Sequence, residues 1–115
     1  MTSLEKAIKI AEILDSKLGM DIKVLKVKDL TILADYFVIA GGSSATQVKA
    51  LSEEVEYKLD KDYGEKPYSV EGDVSRSWTV LDYSDVIVHV FGKEAREFYS
   101  LERLWSDAQE IELNI

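Results

Sequence analysis

The chain has 115 residues, 46% of them hydrophobic, enough for one small domain around one core and too few for two. Zero cysteines exclude disulfides, thiolate zinc sites and cysteine nucleophiles, and a single histidine, His89, excludes a multi-histidine metal cage. Fourteen Lys and Arg against 22 Asp and Glu leave a net charge of -8, the wrong sign for a polyanion binder, whose affinity comes from clustered cations, and the right sign for a partner with a basic surface. No apolar run approaches the roughly 18 residues of a membrane span. The stretch Met1 to Lys6 lacks the basic-then-apolar layout of a secretory signal, so a soluble, cytoplasmic chain is expected, with no membrane partner.

In chain order, Leu4, Ala7, Ile8, Ala11, Leu14 and Leu18 recur at helical spacing behind Thr2, which with Glu5 predicts a capping box, and Gly19 is the expected stop. Residues 22–27 alternate Lys with aliphatics, as a half-exposed strand does. Asp35 to Ala40 is almost wholly apolar and reads as a central strand buried on both faces. After Gly41-Gly42 the period becomes helical through Val48, Leu51, Val55 and Leu59. Ser44 and Gln47 suggest a second capping box, and the helix should end near Asp62. A short strand precedes two β-rich runs, Trp78 to Tyr83 and Val86 to Phe91, which a two-residue turn at Ser84-Asp85 joins into a hairpin. A last helix from about Lys93 carries Phe98, Leu101, Leu104 and Trp105. The expected fold is a single α/β domain over residues 1–108, a mixed sheet of about five strands with helices packed on it, followed by a short acidic tail at 109–115. Residues 1–30 sum to +1 and residues 31–115 to -9, so the acidic surface begins at the second helix.

Three patterns invite a chemical reading. Gly41-Gly42-Ser43-Ser44 joins a buried strand to a helix N-terminus, where a phosphate can bind, but no Lys stands beside the glycines and a plain turn and cap explains them. Glu54 and Glu56 have the spacing of a nucleotidyltransferase metal pair, yet on a helix they lie about 200° apart and cannot grip one ion. Asp82, Asp85 and His89 form the one candidate acid-base group, without a nucleophile in a strained elbow beside it. Neither a cofactor nor a metal site is expected. An enzyme using the Gly41 to Ser44 turn remains the alternative reading, and an rRNA-binding assembly factor is disfavoured by charge.

The hairpin is more informative as a surface. The two-residue turn places Thr79, Leu81, Tyr83, Val86, Val88 and Val90 on one apolar face, hence the core. The other face carries Trp78, Val80, Asp82, Ile87, His89 and Phe91, a mixture that suits a partly open surface with Trp78 as an anchor. A turn one residue longer would exchange the two faces.

The strings Asp35-Tyr-Phe-Val-Ile-Ala-Gly-Gly-Ser-Ser44, Glu71-Gly72, Trp78, Leu81-Asp82-Tyr83, Asp85-Val-Ile-Val-His-Val-Phe91 and Leu101-Glu-Arg-Leu-Trp105 resemble the ribosomal silencing factor family, also called Iojap or RsfS. The resemblance runs from the first helix to Ala108. It implies a nucleotidyltransferase-like fold without catalysis and binding to large-subunit ribosomal protein fourteen. That binding blocks joining of the small subunit and represses translation when nutrients are scarce, while organellar relatives assist assembly of the large subunit. Homodimers occur among relatives, which makes self-association a further implied state, and no sequence-specific nucleic-acid contact is implied. The family's contact surface maps by motif onto Trp78 and the Asp82-Tyr83 stretch. With the open face, this gives Trp78, Val80, Asp82, Tyr83 and His89 as the expected partner-binding residues. Ser84 stands where the family commonly has Gly in the hairpin turn.

Overall fold

The computed structural model describes residues 1–73, 75, 77–93, 103 and 105–115. Its elements follow in the order α1 (Ser3–Ser16), β1 (Met20–Lys26), β2 (Tyr36–Gly42), α2 (Ala45–Tyr63), β3 (Ser69–Gly72), β4 (Trp78–Asp82), β5 (Val86–Gly92) and β6 (Gln109–Ile111). They form one six-stranded mixed sheet in the order β3-β4-β5-β2-β1-β6. Among the described residues only the central β2–β5 pair is parallel, and the chain crosses over through α2, β3 and β4 to bring these two strands side by side. The sixth strand is a correction. Residues 109–115, expected as a tail, contribute β6, in which Ile111 pairs with Val24 and packs on the core, so the acidic composition of this segment conceals a short edge strand. Of the helix expected from about Lys93 and carrying Phe98, Leu101, Leu104 and Trp105, residues 94–102 and 104 lie outside the described residues.

Helix α1 starts as its sequence dictates: the Thr2 hydroxyl accepts the Glu5 N–H at 3.1 Å and the Glu5 carboxylate accepts the Thr2 N–H at 3.1 Å. Its end differs from expectation. The left-handed residue is Leu18, at φ 64°, and Gly19 serves another purpose, donating to the Leu14 carbonyl at 2.8 Å so closely that a Cβ would sit 2.9 Å from that oxygen. At α2 the Ser44 hydroxyl caps Gln47 N–H, but the Gln47 side chain does not complete a box. Its Oε1 takes the Ser43 N–H and hydroxyl, and its Nε2 donates to the Leu18 carbonyl at 3.1 Å, stapling the start of α2 to the end of α1.

Helices α1 and α2 lie on one face of the sheet. Ile10, Leu14, Val48, Leu51, Val55 and Leu59 meet Val38, Leu81, Val86, Val88 and Val90 in the main core. Gly42 permits the close approach of α2 to the end of β2, since a Cβ there would stand 2.8 Å from Val48 Cγ2 and 3.1 Å from Val48 N. Lys6 is 5% exposed within this layer. Its ammonium bonds Asp85 Oδ1 and Glu65 Oε2, each at 2.8 Å. Burial alone pulls the Lys6 ammonium down, and the two carboxylates more than offset this, leaving its pKa raised.

The second face carries a smaller cluster of Leu25, Val27, Ala34, Phe37 and Ile39, with Trp105 and Ala108 packed against it. Phe37 meets Trp105 edge-on at 5.3 Å and His89 at 5.0 Å, and His89 in turn lies 6.0 Å from Phe91. His89 Nε2 is buried without a hydrogen-bond partner among the described residues. Burial pushes the imidazole down to about 4, so it is neutral at physiological pH.

Two stability predictions follow from these contacts. Because the folded state disfavours His89 protonation, its contribution is complete above the ordinary histidine range and is lost as pH falls from about 6.5 to about 4, amounting to about 3 kcal/mol. Melting curves across that window should show His89→Phe losing less stability than the parent chain, and parallel acid limbs would contradict the assignment. Ser84 adopts φ 75° in the hairpin turn, a conformation that costs a side chain about 1 kcal/mol. Ser84→Gly should therefore raise the melting temperature by a few degrees.

Candidate partner-binding face

The hairpin register follows the two-residue turn. Trp78 pairs with Phe91, Thr79 with Val90, Val80 with His89, Leu81 with Val88 and Asp82 with Ile87, while Tyr83 N–H donates to the Val86 carbonyl at 2.9 Å. The Ser84 N–H donates to Asp82 Oδ1 at 2.7 Å, and this bond supports the left-handed residue that glycine would otherwise be needed to supply. Side chains alternate as the pairing requires: Thr79, Leu81, Val86, Val88 and Val90 are buried toward the helices, and Trp78, Val80, Asp82, Ile87 and His89 are partly exposed on the other face.

Continuing the pairing across the sheet sets these residues in rows. Ile39, His89, Val80 and Glu71 form one row from β2 to β3, and Phe37, Ile87, Asp82 and Ser69 form the next. The two halves of this face differ. Toward β1 and β2 it is covered by Trp105 and Ala108, and toward β3 and β4 it carries Trp78, Val80, Asp82 and the exposed Glu71. An apolar strip with an aromatic anchor and two carboxylates at its margin has the make-up of a protein-docking surface, an apolar centre with a charged rim.

Of the five residues expected to bind a partner, Trp78, Val80 and Asp82 share this open half. His89 adjoins them in the row of Val80, partly exposed, with its ring 5.0 Å from Phe37 and 6.0 Å from Phe91. Tyr83 is a correction: it is 2% exposed on the helix face, with the Lys6 ammonium 5.9 Å from its ring, because its position in the alternation matches Leu81 and Thr79 rather than Asp82. Burial, then the carboxylates of Glu56, Glu65 and Asp60, raise its phenol well above the usual tyrosine range. Two residues were missed. Glu71 belongs to the open half through its pairing with Val80, a register that four residues of short strand could not announce. Asp73 accepts hydrogen bonds from Ser77 N–H at 2.7 Å and from Trp78 N–H at 3.3 Å, immediately before β4.

The alternative sites do not assemble. At the Gly41 to Ser44 turn, the Ser43 N–H is taken by Gln47 Oε1 at 2.5 Å and the Gln47 N–H by the Ser44 hydroxyl at 3.1 Å, while Val48 fills the space beside Gly42. Two of the donors that could face a phosphate there, the Ser43 and Gln47 N–H groups, are thus satisfied within the chain. Glu54 and Glu56 have different surroundings on α2: Glu54 pairs with Lys17 at 3.3 Å, and the carboxyl of Glu56 is raised by burial and by Glu53. Among the described residues no group of three or more His, Asp or Glu is placed to hold a metal ion.

The chain is similar to known proteins over its whole length. Residues 1–115 match the family described as ribosomal silencing factor during starvation. The chain is 38% identical over 100 residues to the ribosomal silencing factor RsfS of Bacillus subtilis, spanning 87% of this chain and 84% of that protein. It is also 38% identical over 112 residues to the chloroplastic protein Iojap of Arabidopsis thaliana, spanning 96% of this chain but 46% of that protein. A crystal structure of a Chromobacterium violaceum protein superposes with a TM-score of 0.85 at 36% identity, covering 100% of this chain and 94% of the other. A second, from Bacillus halodurans, gives 0.76 at 33% identity and covers 96% of each chain. With its helix-backed mixed sheet and the matching residues distributed from end to end, the chain belongs to the ribosomal silencing factor family.

Proposed function

We propose that the chain binds the large ribosomal subunit through ribosomal protein fourteen, using the open half of the sheet, and prevents the small subunit from joining. Translation is thereby repressed without a chemical step, when nutrients are scarce. The observation that carries this reading is the asymmetry of the second sheet face, where one half is packed under Trp105 and the other leaves Trp78, Val80, Asp82 and Glu71 together at its edge. Physical obstruction needs only a rigid body held in place, and a radius of gyration of 12.7 Å supplies enough bulk to occupy a subunit interface locally. A standard interface of roughly 800 Å² per partner is within reach of this half face and its margins.

The net charge of -8 favours a basic ribosomal protein over bare rRNA. Glu71 and Asp82 flank Val80 and meet Lys or Arg at the rim, while Trp78 and Val80 are desolvated at the centre. No cofactor takes part. The site of action is wherever such ribosomes translate, the cytoplasm for a bacterial chain, and self-association through the same face would compete with docking.

Trp78→Glu should weaken co-sedimentation with isolated large subunits by about 30-fold or more while leaving the melting temperature within a few degrees, as expected of a central aromatic anchor. A folded Trp78→Glu variant that binds normally removes the anchor. Asp82→Asn keeps the oxygen that accepts the Ser84 N–H, so together with Glu71→Gln it should leave the hairpin intact, slow association severalfold and flatten its salt dependence. In a light-scattering assay of subunit joining, saturating chain should abolish the association signal. An undiminished joining rate with subunits shown to carry the protein would refute the obstruction mechanism.

A further inference from the structure

The five residues 73–77 connect β3 to β4, and Trp78 is the first residue of β4. One carboxylate gathers its described residues. Asp73 Oδ1 accepts Ser77 N–H at 2.7 Å and Trp78 N–H at 3.3 Å, and Oδ2 accepts the hydroxyl of Ser75 at 2.5 Å and the hydroxyl of Ser77. The hydroxyls of Ser75 and Ser77 hold the Asp73 carboxyl down to about 2, so it is ionised and acceptor-only under all ordinary conditions. Ser77 is gripped from its other side as well, because its carbonyl accepts Gly92 N–H at 2.7 Å. The residue preceding Trp78 is thus fixed through its N–H, its hydroxyl and its carbonyl at once.

An anchor that must be ordered during docking loses affinity to the entropy of ordering it, and an anchor already held does not. Trp78 stands at a strand end next to a loop, where backbone freedom is otherwise greatest. We propose that Asp73 is a positioning residue for docking, fixing the start of β4 so that Trp78 is presented to the partner in its bound orientation. This inference rests on the assignment of Trp78 to the docking surface. Asp73 acts through the backbone of residues 77 and 78 and need not touch the partner itself.

The test is a double-mutant cycle read by affinity for isolated large ribosomal subunits. Asp73→Ala should weaken binding about tenfold with a melting temperature within a few degrees of the parent, and should broaden the indole N–H resonance of Trp78. Asp73→Asn keeps an oxygen for the two backbone N–H groups while removing the charge, and the serine hydroxyls can turn to accept from its amide, so it should restore binding to within about threefold. In a Trp78→Ala background, Asp73→Ala should cost nothing further, since the residue it positions is gone. Parent-like binding by Asp73→Ala overturns the proposal. So does a tenfold loss that persists in the Trp78→Ala background, the signature of a direct charge contact. If Trp78→Ala alone binds like the parent, the docking surface is misassigned and the proposal falls with it, an outcome distinct from failure of the Asp73 arms. Should Asp73→Ala not fold, Ser77→Ala removes one of the four hydrogen bonds without changing charge, and the same cycle with Trp78→Ala decides the matter.

Discussion

Asp85 holds together three parts of the chain that are distant in sequence. Its backbone carbonyl accepts the N–H groups of Asp35 at 2.8 Å and Tyr36 at 3.2 Å, fixing where the central strand β2 begins against β5. Its side chain takes the Lys6 ammonium at 2.8 Å and so ties the first turns of α1 to the hairpin turn. Parallel pairing of β2 and β5 has no short turn to set its register, and the crossover between them spans α2, β3 and β4. Anchoring at Asp85 supplies what a tight turn would have supplied. The alignment of β2 with the hairpin rows on the open face starts from that point.

Much of this was legible in the chain because side-chain periodicity reports directly on burial. The apolar run from Asp35 to Ala40 announces a strand covered on both faces, and β2 is buried along its whole length. The alternation through Trp78 to Phe91, with a two-residue turn, announces the pairing of Val80 with His89 that the structure has. Features carried by backbone geometry were less legible. Gly19 reads as the left-handed stop of α1, yet Leu18 takes that conformation and Gly19 is required by the nearness of the Leu14 carbonyl. Gly42 reads as part of a plain turn, and it also makes room for Val48. Strand β6 is three residues long and too polar to declare itself, because an edge strand needs only one inward side chain, here Ile111.

The candidate site divides along the same line. Trp78, Val80 and Asp82 could be placed together because they alternate within one strand. Glu71 could not, since its membership depends on the register of a neighbouring strand. The motif that carried Tyr83 into the expected set treats Asp82 and Tyr83 as one unit, whereas a pleated strand sends them to opposite faces. A motif read as a string and a surface read as a face therefore disagree at alternate positions. Burial decides between them, giving Tyr83 to the core beside Lys6.

The electrostatic arrangement narrows what such a face can bind. A body of net charge -8 approaching a particle dominated by phosphate is repelled at long range, so attraction has to come from a locally basic protein surface at contact distance. Screening beyond about 8 Å at physiological ionic strength confines the repulsion to the nearest phosphates, and the carboxylates of Glu71 and Asp82 meet their partners well inside that distance. Rim charges of this kind raise the encounter rate and select the orientation, whereas the lifetime of the complex depends on the apolar centre. Trp78 is the large side chain at that centre, and it lies at the end of its strand beside a loop. Residence on the ribosome and the hydrogen bonds around Asp73 are then parts of one problem, because an anchor holds only as well as the backbone that carries it.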